Sequence, residues 1–302
     1  MKDLFQRLRT LFEENHYLIE DYKEINYGIQ FRISDAEHTG ILRIYGNKKG
    51  ETKFDYSQLG ETEWAVRIIE RVDSLSDVKI ESELQQPVIG CDESGKGDYF
   101  GPLVCAAVFV DGKTSYRLKA LGVRDSKATS DKTTIELSRA IAELCRGQYA
   151  IFELLPLEYN RYYDRFLHQG KRLNSLLAWA HVQSILECYN MVKCTNVLVD
   201  QFGDETLIKS ALGNSHSHLS IKHRPKAENN IAVAASSILA RARYLSTLAG
   251  LERQYNVKLA KGASSEVIGN ARVFIDRYGR EKLQNVAKLH FKTTRDVIGI
   301  EN

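Results

Sequence analysis

Val88-Ile89-Gly90-Cys91-Asp92-Glu93-Ser94-Gly95-Lys96-Gly97 carries a short apolar run into two adjacent carboxylates and then a lysine set between glycines. The run reads as a buried strand, with the acids standing where it ends. Further apolar runs of this kind lie at 103–110, 149–154 and 196–199, and segments of helical periodicity fall at 131–145, 173–192 and 230–248. Strands interspersed with helices predict an α/β architecture over residues 87–302, a mixed central sheet covered by helices.

Upstream of residue 76 the pattern changes. Leu4, Phe5, Leu8, Leu11 and Phe12 recur at helical spacing, as do Trp64, Ala65, Ile68, Ile69 and Val72. Between them Ile29, Phe31 and Ile33 alternate with polar residues, and so do Leu42 and Ile44; Asn47-Lys48-Lys49-Gly50 then reads as a turn into a strand over 52–56. Residues 1–75 are therefore expected to form a smaller α+β domain. Its open sheet face would carry Arg32, Arg43, Tyr45 and Lys53, suited either to nucleic acid or simply to water. Residues 76–86 lose periodicity before Pro87 and read as a linker.

A chain of 302 residues with 43% hydrophobic and 27% charged composition can bury two cores. The net charge of +3 conceals a split. Residues 1–86 hold 12 Lys+Arg against 17 Asp+Glu, a net of −5, so the remainder carries +8. The basic excess accompanies the acidic motif, where it would draw in a polyanion. Five scattered cysteines without a C-x-x-C pair argue against a disulfide framework or zinc knuckle and suggest a reducing cytoplasm. No apolar stretch reads as a signal peptide or membrane span. Nothing signals obligate assembly, so a monomer without an obligate protein partner is expected.

Acidic strand ends are natural ligands for hard divalent cations. A second apolar strand, 196–199, ends on Asp200, repeating the layout of 88–92. Glu228 precedes a helix built largely of small residues, suited to lying close on a sheet. Each acid alone is explained by solvating a strand end or complementing a helix dipole. Asp92, Glu93, Asp200 and Glu228 taken together favour a site for two Mg²⁺ or Mn²⁺ ions acting on a phosphodiester. The glycines also invite a cofactor reading, but Gly95, Gly97 and Gly101 are spaced one residue too long for the dinucleotide fingerprint, and a strand follows where that motif needs a helix. His216-Ser217-His218 lacks convincing metal partners, and Cys91 reads as a small buried residue rather than a nucleophile.

The run 92–103 resembles the ribonuclease HIII family, a type 2 ribonuclease H. So do the blocks 122–127, 174–181, 226–228 and 286–291, which follow in family order. The resemblance covers residue 88 to the C-terminus. It implies a ribonuclease H-like fold, with a TATA-binding-protein-like N-terminal domain that helps hold the substrate. It also implies Asp92, Glu93, Asp200 and Glu228 as catalytic metal ligands, with Gly95, Lys96 and Gly97 on the RNA strand and Ser94, Ser126 and Lys127 at phosphates.

The expected function is that of an endonuclease hydrolysing the RNA strand of RNA/DNA hybrids with two metal ions, leaving 5′-phosphate and 3′-hydroxyl ends. One rival is another two-metal nuclease of similar fold, such as an exonuclease or strand-transfer enzyme. A second is a non-catalytic nucleic-acid-binding protein, which would bind without metal or turnover.

Overall fold

The structure, a computed structural model, describes residues 1–46, 52–60, 62–75, 86–123, 129–225 and 227–299. The chain divides into two compact units, Met1–Pro87 with Val110–Arg124, and Val88–Phe109 with Asp125–Asn302.

In the first unit, helix α1 (Lys2–Glu14) buries Phe5, Leu8 and Phe12. Strands β1 (Leu18–Ile19), β2 (Lys23–Ile25), β3 (Gly28–Ser34), β4 (Thr39–Gly46) and β5 (Thr52–Gln58) follow, then α2 (Glu63–Leu75). The sheet is antiparallel in the order β1-β3-β4-β5, with β2 also paired to β3. Ile29, Phe31, Ile33, Leu42 and Ile44 share one core with Phe5, Leu8, Phe12, Trp64, Ile68 and Ile69, so the period-2 faces of the strands meet the helical stripes. The register sets Gln30 opposite Arg43, Arg32 opposite Ile41 and Tyr45 opposite Lys53. Arg32, Arg43, Tyr45 and Lys53 therefore do share the other face. Its charge is mixed, because Arg32 lies 3.5 Å from Glu20; Arg43 donates to the neutral amide of Gln30.

Residues 110–124, read with 87–302 from the sequence, lie with this first unit. They include α3 (Gly112–Ala120), which Asp111 caps by accepting from the Thr114 amide at 2.8 Å. Lys119 of α3 pairs with Asp73 of α2 at 2.8 Å, and Ala120 joins the core around Trp64. The turn at 47–50 and linker residues 76–85 lie outside the described residues.

The second unit is built on β6 (Val88–Ser94), β7 (Leu103–Val110), β8 (Tyr149–Leu154), β9 (Asn196–Asp200) and β10 (Ser220–Arg224), ordered β10-β9-β6-β7-β8. The pairs β6–β9 and β9–β10 are parallel and β7–β8 is antiparallel, giving the mixed sheet expected. Helices α4 (Asp131–Leu144), α5 (Pro156–His168), α6 (Leu173–Val192), α7 (Glu205–Leu212), α8 (Ile231–Tyr255), α9 (Ser265–Tyr278) and α10 (Lys292–Ile298) complete it.

Successive β6 side chains turn to opposite faces of the sheet. Ile89 and Cys91 share a core with Ala178, Val182 and Ile185 of α6. Gly90 turns the other way, onto α8. A Cβ at Gly90 would stand 2.3 Å from the backbone of Ala232 and Val233, so the missing side chain lets helix backbone lie directly on the strand. The small residues of α8, Ala232, Ala234, Ala235, Ser236 and Ser237, are all buried. Among the described residues no helix is long and apolar enough to cross a membrane.

Candidate active site

The same alternation separates the two adjacent acids. Asp92 follows Gly90 onto the α8 face and accepts a hydrogen bond from Ser237. Glu93 follows Cys91 onto the α6 face, where its Oε2 lies 3.1 Å from Nε2 of His181. The parallel register pairs Cys91 with Val199, so the next residues of the two strands are Asp92 and Asp200. Glu228 lies in a 3-10 turn, Ala227–Asn229, immediately before α8. The Ala227 amide donates to Asp200 Oδ1 at 2.9 Å, tying that turn to the end of β9. Four acids from three chain segments are thus brought within one another's electrostatic reach.

Their ionisation reflects it. Burial, then the charge of Glu93, pushes the Asp92 carboxyl up to about 7, despite hydrogen bonds from Ser237 and the Glu93 amide; Asp200 adds to the rise. Burial also raises Asp200, where the Ala227 amide opposes it and Glu228 reinforces it. At Glu93 burial opposes ionisation, but the hydrogen bond from His181 and the Lys96 ammonium hold the carboxyl below its usual range.

Beyond β6 the chain turns sharply. Gly95 has φ +88°, and a Cβ there would lie 2.1 Å from the Pro102 carbonyl oxygen, so no other residue fits without moving backbone. Gly97 is different: a Cβ would meet nothing within 4 Å, and the residue is exposed. Lys96 places Nζ 3.4 Å from Glu93 Oε1 and 5.6 Å from the centre of the Phe202 ring. Ser94 is half-buried at the end of β6. Ser126, Lys127 and Lys226 lie outside the described residues.

The far side of this loop is anchored by residues the sequence reading did not single out. Fully buried Lys288 donates to the carbonyls of Gly101 at 2.6 Å, Pro102 at 3.3 Å and Phe100 at 3.4 Å. Burial pushes its amine down to about 7, with Asp98 countering. Tyr244 of α8 donates to Phe100, and Asp98 accepts from the Gly262 amide at 2.6 Å. His181 falls in the block 174–181 and Lys288 in 286–291, but neither received a role from the sequence; Phe202 and Ser237 take theirs from their place in the fold.

Carboxylate oxygens suit a hard divalent cation, and the repulsion that raises Asp92 and Asp200 is what such a charge would relieve. No three His, Cys, Asp or Glu side chains among the described residues form a preassembled metal shell. By the chemistry of its carboxylate oxygens, the donor set fits the group. His218 instead contacts the Tyr189 hydroxyl at 2.9 Å, and Cys91 is wholly buried.

The family profile described as Ribonuclease HII matches residues 89–294. Ribonuclease HIII of Protochlamydia amoebophila (strain UWE25) is 40% identical over 213 residues, covering 70% of this chain and 69% of that protein. Ribonuclease HIII of Chlamydia muridarum (strain MoPn / Nigg) is 37% identical over 230 residues, covering 75% and 74%. Among solved structures, Bst-RNase HIII in complex with Mn²⁺ matches with a TM-score of 0.67 at 26% identity, over 99% of this chain and 96% of that one. The ribonuclease H2 from Pyrococcus horikoshii OT3 matches with a TM-score of 0.58 at 22% identity, over 70% of this chain and 97% of that one, a likeness of fold.

Proposed function

The chain belongs to the ribonuclease HII/HIII family of endonucleolytic hydrolases with the ribonuclease H-like fold, and we propose that it cuts the RNA strand of RNA/DNA hybrids internally, leaving 5′-phosphate and 3′-hydroxyl ends. The observation that carries this reading is the convergence of Asp92, Glu93, Asp200 and Glu228 beside the Gly95-Lys96-Gly97 turn. A protein that merely held phosphates would gain nothing from gathering buried negative charge where the backbone approaches.

Asp92, Glu93, Asp200 and Glu228 are the residues that would hold two Mg²⁺ or Mn²⁺ ions. Bound there, the ions would supply Lewis acidity to the scissile phosphate and its attacking water. The protein groups have separate tasks. Asp92, buried between two other acids, is the carboxylate most in need of a cation. Lys96 offers a positive charge at the rim, and exposed Gly97 leaves its backbone open to the RNA strand, where the 2′-hydroxyl separates RNA from DNA. Ser94, Ser126 and Lys127 are assigned to neighbouring phosphates. We read the N-terminal unit as the substrate-holding, TATA-binding-protein-like domain, with Arg32, Arg43, Tyr45 and Lys53 as its working face, and a reducing cytoplasm as the setting, in keeping with five free cysteines.

A hybrid blocked at both ends tests this reading. Incubated with Mg²⁺ or Mn²⁺, it is expected to yield internal cuts in the RNA strand alone, the new 5′ ends refusing a labelled phosphate until a phosphatase has acted. Digestion only from unblocked ends would favour an exonuclease. Salt-sensitive binding without metal and without cleavage would favour a binding protein.

A further inference from the structure

Glu93 is held by a histidine. His181 is fully buried on α6, within the apolar run from Leu176 to Val182. Its Nε2 faces Glu93 Oε2 at 3.1 Å, its Nδ1 faces the Cys91 thiol at 3.0 Å, and the Cys105 thiol bonds the ring as well. Its ring stacks on Phe202 at 4.8 Å between centroids and 5° between planes. A carboxylate only accepts, so Nε2 carries the proton in this pair. Neither His181 nor Cys91 reaches solvent, which excludes a base or nucleophile acting on substrate despite the Cys-His-Glu order. Whatever His181 contributes passes through Glu93.

We propose that His181 is a positioning residue for Glu93: it occupies Oε2 and leaves Oε1, the oxygen that faces Lys96, as the one presented to an incoming cation. This rests on the reading of Glu93 as a cation ligand. Three features favour it over mere filling of the core. The imidazole spans Cys91 and Glu93, two residues on the same face of one strand, so it locks the acid to the strand that carries it. The stack onto Phe202, two residues beyond Asp200, ties the same ring to the second acidic strand end. Lys96 lies over that Phe202 ring as well, so the histidine, the turn and both strand ends share one support. Groups that orient a ligand in this way commonly contribute about 10–100-fold to metal affinity.

The test is a double-mutant cycle read as Mn²⁺ affinity by calorimetry on the full chain, without nucleic acid. His181→Phe keeps a ring against Phe202 but removes the donor. It is expected to weaken Mn²⁺ binding by about 10–100-fold, with no further loss when combined with Glu93→Gln. His181→Gln, whose amide can donate, is expected to recover part of the affinity. Cys91→Ala, combined with Cys105→Ala, frees the ring from both thiols and provides a second arm, with a smaller loss that also vanishes in the Glu93→Gln background. It decides the question if His181→Phe does not fold. Losses that add to that of Glu93→Gln, or folded variants in both arms with native affinity, would overturn the positioning role. Native Mn²⁺ affinity in Glu93→Gln itself would instead refute Glu93 as a ligand, and the proposal with it.

Discussion

Asp92 is asked to be ionised in a place that disfavours charge. Burial and Glu93 push its carboxyl up to about 7 from an ordinary 3.8. With the folded value above the unfolded one, this residue's contribution to stability is present below about 4 and is lost as pH rises towards 7, a loss of up to about 4 kcal/mol. Glu93 is held low, so its own effect falls in the acid range and does not cancel the loss. With divalent cations chelated, the native chain should therefore melt at lower temperature at pH 8 than at pH 5. Asp92→Asn should flatten that fall and exceed the native chain at pH 8 by about 2–4 kcal/mol. Thermal melts of the two at both pH values check this, and a variant less stable than the native chain at pH 8 would refute it. The positions of Asp92, Glu93, Asp200 and Glu228 at element ends could be read directly from the residues. The partners that tune them, His181, Ser237 and Phe202, could not. Each depends on which face of a helix or strand meets which neighbour, and a buried histidine in an apolar helix looks like any core residue until its partner is seen.

At the scale of elements, hydrophobic patterning was a good guide to the strands of the second unit. The run at 103–110 is β7, that at 149–154 is β8, and the small-residue helix after Glu228 is α8, lying on β6 as its composition suggested. Patterning did not show that β6 divides its acids between two helices, which follows from combining a period of two with the positions of α6 and α8. Nor did it show that 110–124 joins the first unit, where Ala120 packs into the core around Trp64 and Lys119 pairs with Asp73. Lys288 escaped for a related reason, since its ammonium serves the carbonyls of Phe100, Gly101 and Pro102, nearly two hundred residues away in sequence. The close seat of α8 on β6 makes a clear demand. Gly90→Ala would set a methyl group against helix backbone, which cannot swing aside as a side chain can. It should destabilise the chain by about 1–3 kcal/mol, measured by urea unfolding, and loosen the site by displacing α8 from Asp92. An unfolding midpoint equal to that of the native chain would show that the helix seat is not tight.

Over the whole molecule, charge and chemistry are distributed unevenly. Counted by structural unit, residues 1–87 with 110–124 carry a net −2 and residues 88–109 with 125–302 a net +5, so the basic excess lies with the unit that holds the acids, where it would draw in a polyanion. Acids that would repel a phosphate on their own belong to a unit of net positive charge, an arrangement that makes sense when a cation mediates between them. Family blocks from residue 88 onward made this second part legible, and the match to residues 89–294 agrees with their extent. The first unit was legible as strands and helices, while the mixed charge of its open face came only from the register, which sets Glu20 near Arg32. The most direct test of the central claim compares the native chain with Asp92→Asn on a labelled RNA/DNA hybrid in Mg²⁺ or Mn²⁺. Both proteins should fold, and the native chain should cut the RNA strand, while Asp92→Asn is expected to lose about 10²-fold or more of the rate. Equal cleavage by the two would contradict the account.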